Sequence, residues 1–104
     1  MSGPFLSDVA APLLPYLPKA GAWLGIRARR KGSRVVFAGR VRRDGRVISL
    51  GDTSCPEVAA LVMDVARLLL GRETRNFTLQ ELADFPAAEL EALGGYVKGK
   101  LSLA

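Results

Sequence analysis

The hydrophobic period of this chain changes once, near Gly51, and that change limits the fold more than any other feature of the sequence. Upstream of it the period is two. Leu24, Ile26 and Ala28 alternate with Trp23, Gly25, Arg27 and Arg29. Beyond Lys31-Gly32, the positions Val35, Phe37, Gly39 and Val41 alternate with Arg34, Val36, Ala38, Arg40 and Arg42. Alternation of this kind places one row of side chains in a core and the other in water. Asp44-Gly45 supplies two residues that tolerate positive φ, and Arg46 to Leu50 continues as a third strand. The expectation is an antiparallel meander of three strands over residues 22–50, with one buried face.

Downstream the period is 3.6. Val58, Leu61, Val62, Val65, Leu68 and Leu69 form a broad apolar stripe, with Glu57, Asp64 and Arg67 mostly off it and Gly71 at its end. Ser54 and Glu57 match a capping box, with Cys55 and Pro56 in the first turn. Thr78 and Glu81 match a second one, for a short helix to about Phe85. Pro86 stops that helix and starts another over Ala87 to Leu93, which Gly94-Gly95 terminates. Residues 5–17 read as a short helix or turn-rich arm, capped by Ser7, with Val9, Leu13 and Leu14 on one face. A sheet with one apolar face needs a cover, and the helix after Cys55 is the best candidate. The predicted fold class is therefore α+β: a three-stranded antiparallel sheet covered on one face by C-terminal helices. At 104 residues the chain suits a single domain, with an N-terminal arm over 1–20 and helices over 54–104.

Charge is distributed unevenly. Arg27, Arg29, Arg30, Lys31, Arg34, Arg40, Arg42, Arg43 and Arg46 place nine of the 15 basic residues in one stretch whose only acid is Asp44, and the net charge is +5. Such a patch attracts nucleic acid, anionic lipid or an acidic protein; equally, it keeps the open face of a sheet soluble and stops edge pairing. No apolar run approaches the roughly 18 to 20 residues that cross a bilayer. The first 18 residues lack a basic start and carry Asp8 and four prolines, so they do not read as an export signal. A cytoplasmic protein that does not engage membranes is the expectation.

The sequence contains no histidine and one cysteine. Without histidine there is no Ser-His or Cys-His pair, and a lone cysteine forms neither a CxxC nor a four-ligand zinc site. No GxxxxGK[ST] loop occurs. The composition points away from an enzyme. Cys55 remains the one residue with reactive chemistry, because a helix start favours the thiolate, the form that binds metal or attacks an electrophile. The competing reading is a small apolar side chain that packs where a helix begins.

Three antiparallel strands, an Asp-Gly turn, a cysteine opening a long helix, then Gly71-Arg72 and Thr78-Leu79-Gln80-Glu81-Leu82 together resemble the iron-sulfur cluster scaffold proteins of the NifU/IscU type. The likeness covers roughly residues 20–104 and is stronger in layout than in identity. In that family three cysteines and an aspartate hold the cluster. Cys55 matches the helix-start cysteine. The CGD motif between the first two strands is replaced by Lys31-Gly32-Ser33, and the C-terminal ligand position falls on Ser102 or Leu103 in Lys100-Leu101-Ser102-Leu103. The resemblance thus implies a degenerate member, with Lys31, Ser33 and Ser102 at former ligand positions. A [2Fe-2S] or [4Fe-4S] cluster needs about four ligands, so one thiolate cannot hold it alone. No cofactor is expected from this chain by itself, and an iron-sulfur cluster only if shared with a partner.

Three functions follow from these residues. One is a non-catalytic, scaffold-like protein that takes part in iron-sulfur cluster or sulfur transfer, or binds a protein partner of that pathway. Another is a basic module for nucleic acid or an acidic protein, using Arg27, Arg29, Arg30, Arg34, Arg40, Arg42, Arg43 and Arg46, with Trp23, Phe37 and Tyr96 as stacking candidates. The third is a structural domain, for which the apolar segment Lys100 to Ala104 offers a surface for homodimerisation.

Overall fold

Two tight turns organise the sheet. Gly32 has φ +66° at the first turn; Asp44 and Gly45 have φ +52° and +78° at the second. These are the positive-φ positions that two-residue hairpins require, and they match the right-handed twist of the flanking strands. The computed structural model describes residues 5–18 and 23–103. In it β1 (Ile26–Lys31), β2 (Arg34–Arg43) and β3 (Arg46–Thr53) form an antiparallel sheet in the order β1-β2-β3. Ile26 faces Gly39 and Lys31 faces Arg34; Phe37 faces Thr53 and Arg43 faces Arg46. The register slips between Ala38 and Arg40, so β3 runs past Gly51 to Thr53 and does not end at Leu50. Ala22, the first residue of the expected meander, lies outside the described residues, as do residues 1–4 and 19–20 of the expected arm.

The helices follow as expected in order but not in all their bounds. α1 (Leu6–Ala10) leads into a 3-10 turn over Ala11–Tyr16; α2 spans Pro56–Leu69, α3 Leu79–Ala83 and α4 Ala87–Leu101. The fold class is the one expected, α+β with helices against a three-stranded antiparallel sheet. Helix α2 lies on β2 and β3, and α4 lies against α2 and β3. Helix α2 approaches β2 closely at Gly39, where an added Cβ would come within 3.0 Å of both the Ala59 carbonyl and the Met63 Cβ. Glycine there lets helix and sheet approach, and a larger residue would separate them.

Several expectations are corrected by packing. Helix α4 passes straight through Gly94-Gly95, because Leu93, Val97 and Leu101 at spacings of four bury one stripe that outweighs about 1 kcal/mol per glycine. Helix α2 is buried without interruption from Val58 to Ala66, Asp64 included, whereas Leu68 is exposed. Ser7 does not cap α1, whose N-cap is Phe5; Leu6, Ala10, Leu13 and Leu17 turn inward, and Leu14 stays exposed. On the first strand only Ile26 reaches the core, and Ala28 is exposed because α2 covers β2 and β3 far more than β1. Trp23, expected opposite the core, is half-buried and stacks on Phe77 at 5.2 Å. Val35 is exposed beyond the reach of the helices.

Candidate functional site

Cys55 sits where β3 hands over to α2. Its extended backbone (φ −110°, ψ 110°) makes it the N-cap of α2, and its carbonyl accepts from the Val58 and Ala59 N–H groups. Pro56 at the first helical position needs no hydrogen-bond partner and has a φ suited to a helix start. The expected capping box is therefore displaced by one residue. Ser54 lies before the N-cap, Val58 and not Glu57 takes the third helical position, and no side chain caps the helix. Thr53 instead accepts from the Cys55 N–H at 3.2 Å. The Cys55 thiol is free and half-buried against the core, with the Ser54 hydroxyl 3.9 Å from the sulfur.

The remaining positions implied by the scaffold resemblance divide between the two ends of the sheet. Lys31 and Ser33 flank Gly32 in the β1–β2 turn, and both are exposed. That turn and the Thr53 end of β3 lie at the same end, since Lys31 pairs with Arg34 and Phe37 with Thr53. Ser102 lies at the other end: it is the C-cap of α4, with φ +56°, and the carbonyl of the preceding Leu101 accepts from Arg43 next to the β2–β3 turn. Leu101 itself is buried in the core. Among the described residues, no three His, Cys, Asp or Glu side chains gather where they could hold a metal.

The arginines divide by face. Register puts Arg27, Arg29, Arg34, Arg40 and Arg42 on the side of the sheet away from α2, all exposed. Arg30 shares the helix side with Val35, at the exposed hairpin end. Arg43 is committed to the Leu101 carbonyl, and Arg46 faces it across the turn. Asp52, unremarked in the sequence, joins the outer face. Its carboxylate meets Arg29 at 2.6 Å and Lys31 at 3.7 Å. Arg29 belongs to β1 and Asp52 to β3, so this bridge spans β2 above Val36, which is only 7% exposed although it points away from the helices. Phe37 lies on the helix side, which removes it from the stacking candidates of this face. Only a bulge in β3 puts Asp52 on this face, and the alternation gave no sign of one.

An open groove of about 840 Å³ runs beside this edge, lined by Phe5, Leu6, Lys31, Asp52, Tyr96 and Lys100. Tyr96 donates its hydroxyl to the Leu50 carbonyl at 3.1 Å, and burial, with the Asp52 charge adding to it, raises its pKa above the ordinary phenol value. Lys100 stands over its ring at 5.6 Å. No helix among the described residues is long and apolar enough to cross a membrane. No protein-family model matches the chain, and no curated protein or solved structure is detectably similar to it.

Proposed function

We propose that this chain is a non-catalytic, iron-sulfur-scaffold-like protein that binds a protein partner and accepts or relays sulfur on Cys55. The observation that supports this reading is the place of the thiol. It is the only one in the chain, half-buried, unbonded to another cysteine, and set at the strand-to-helix junction where the resemblance puts a ligand cysteine. The chemistry needs one thiolate. Attack on the outer sulfur of a donor persulfide forms a new S–S bond at Cys55 and releases the donor as a thiolate; no net oxidation occurs. A resident cluster is not part of the proposal, because Lys31, Ser33 and Ser102 supply no thiolate and Ser102 is at the other end of the sheet.

Two measurements test it. Native Cys55 is expected to react with iodoacetamide at neutral pH faster than a free thiol such as glutathione; labelling only after denaturation would remove the acceptor role. Anaerobically purified chain is expected to be colourless and free of stoichiometric iron and acid-labile sulfide, and a cluster in the isolated chain would contradict the assignment.

A second reading is favoured by one observation, the gathering of five arginines on one open sheet face. It makes the chain a basic module for nucleic acid or an acidic protein. For DNA, affinity would fall by roughly one log unit per neutralised phosphate per tenfold rise in salt; an affinity indifferent to salt excludes it.

A further inference from the structure

We infer that the outer sheet face is a docking surface for a carboxylate-rich protein segment, and that Asp52 occupies part of it in the free chain. This rests on the reading above that the chain binds a protein partner, and it names the surface and the chemistry of that partner.

Arg27 and Arg29 on β1, and Arg34, Arg40 and Arg42 on β2, project from one side of a sheet whose other side is covered by α2. Residues two apart on a strand are about 6.5 Å apart, and neighbouring strands about 4.8 Å, so the guanidinium groups form a lattice rather than a line. Solubility alone would be served by lysine. Arginine's planar fork binds carboxylate and phosphate bidentately, and it is enriched at protein interfaces where lysine is depleted.

Which anion the face suits is decided by what lies between the arginines. Val36, Ala38 and Val47 share it, and Val47 is 53% exposed. Among the described residues, none of the strand side chains on it is aromatic: Phe37 points to the helices, Trp23 is stacked on Phe77, and Phe5 and Tyr96 line the groove beside it. Base stacking, which supplies about 1–3 kcal/mol per base in single-strand binding, therefore has no platform among the arginines of the strands. A sheet face of arginines interleaved with small aliphatics matches a protein segment that alternates acids with apolar residues. Asp52 already illustrates the contact, since its carboxylate lies 2.6 Å from the Arg29 Nη2 and 3.7 Å from the Lys31 Nζ. A partner carboxylate would take its place, or bind the arginines that Asp52 leaves unpaired.

Fluorescence anisotropy with the full chain tests this, using a short fluorescein-labelled peptide of alternating glutamate and alanine as probe, and single- and double-stranded DNA of matched charge as comparators. The peptide is expected to bind more tightly than either DNA at the same salt. Arg34→Gln/Arg40→Gln is expected to weaken it about two- to thirtyfold, the product of two exposed ion pairs. Arg75→Gln/Lys98→Gln, with the same charge loss off the face, should leave it within about twofold of wild type, and Asp52→Asn should tighten it about two- to fivefold by releasing Arg29 and Lys31. Thermal melts of each variant confirm that the exposed substitutions leave the fold intact. Tighter binding of DNA, equal loss in the two double variants, or no peptide binding would each overturn the inference. Cys55→Ser should bind the peptide like wild type; failed peptide binding beside intact sulfur transfer to Cys55 would remove this surface and leave the proposed function standing.

Discussion

Asp64 is a fully buried carboxylate in the middle of α2, and the loop before α3 hangs on it. Its Oδ1 accepts from the Arg75 N–H at 2.9 Å, and its Oδ2 from the Asn76 and Phe77 N–H groups at 2.8 and 2.7 Å. Asn76 passes the constraint on, since its side chain accepts from the Leu24 N–H and donates to the Leu24 carbonyl. Asp64→Asn keeps the shape and changes the chemistry. One oxygen can still serve two donors, now as a neutral acceptor of roughly half the strength, while the new amide faces the Arg75 N–H donor to donor. One charge-assisted bond is lost, worth about 1.5–3 kcal/mol, and two are weakened by about 1 kcal/mol each. Against that, a buried charge no longer has to be desolvated, which offsets part of the loss. The net expectation is a destabilisation of about 2–3 kcal/mol, or a fall in melting temperature of about 8–20 °C for a domain of this size. Urea unfolding measures it through the midpoint at unchanged m-value. Combined with Asn76→Ala, the two losses should depart from additivity by about 0.5–1 kcal/mol because they share one loop. A change below about 0.5 kcal/mol for Asp64→Asn would refute the claim that the carboxylate anchors the loop.

Other perturbations read other parts of the fold. Gly94→Ala should stabilise the chain by about 0.5–1 kcal/mol in the same urea assay, because its φ is not positive and an added Cβ meets nothing within 4 Å. Gly51→Ala should cost about 2–4 kcal/mol, since the backbone there has φ +108° and the new Cβ would come within 2.5 Å of the Tyr96 hydroxyl. Thr78→Ala should cost about 1 kcal/mol, because both halves of the capping box with Glu81 are formed. The raised pKa of Tyr96 means that the unfolded chain loses this proton first; its stabilising contribution is full below about pH 10 and is lost as pH rises through the folded value. Wild type should therefore lose more stability than Tyr96→Phe between about pH 9 and pH 11 in paired urea titrations, and parallel losses would show that Tyr96 is not the group responsible.

What the sequence disclosed, and what it hid, follows from the range of the interactions involved. Period-two and period-3.6 patterns are local, so the meander, the helix after Cys55 and the Thr78–Glu81 cap were legible. The passage of α4 through Gly94-Gly95 was not, because Leu93, Val97 and Leu101 decide it by packing against the rest of the core. At Cys55 the difference is a single residue: Ser54 has the right chemistry for an N-cap, but Pro56 fixes the first helical position and hands the cap to Cys55. The bulge opposite Gly39 extends β3 and places Asp52 on the outer face, where its bridge to Arg29 buries Val36. No spacing rule finds a contact between strands one and three. Asp64 read as a polar residue off the apolar stripe because its partners are backbone groups, which leave no mark in composition. Of the candidate ligand positions, Lys31, Ser33 and Cys55 belong to one end of the sheet, while Ser102 is at the other, a separation that depends on the full length of α4.

The central claim is that Cys55 accepts sulfur, and intact-mass spectrometry tests it most directly. The reduced chain is mixed anaerobically with a small-molecule persulfide, desalted, and weighed beside Cys55→Ser treated in the same way. The wild-type chain is expected to gain the mass of one sulfur atom, a reductant to reverse the gain, and the variant to gain nothing. An unmodified native chain that takes up sulfur only after unfolding would contradict it, leaving Cys55 as a packed side chain at the start of a helix.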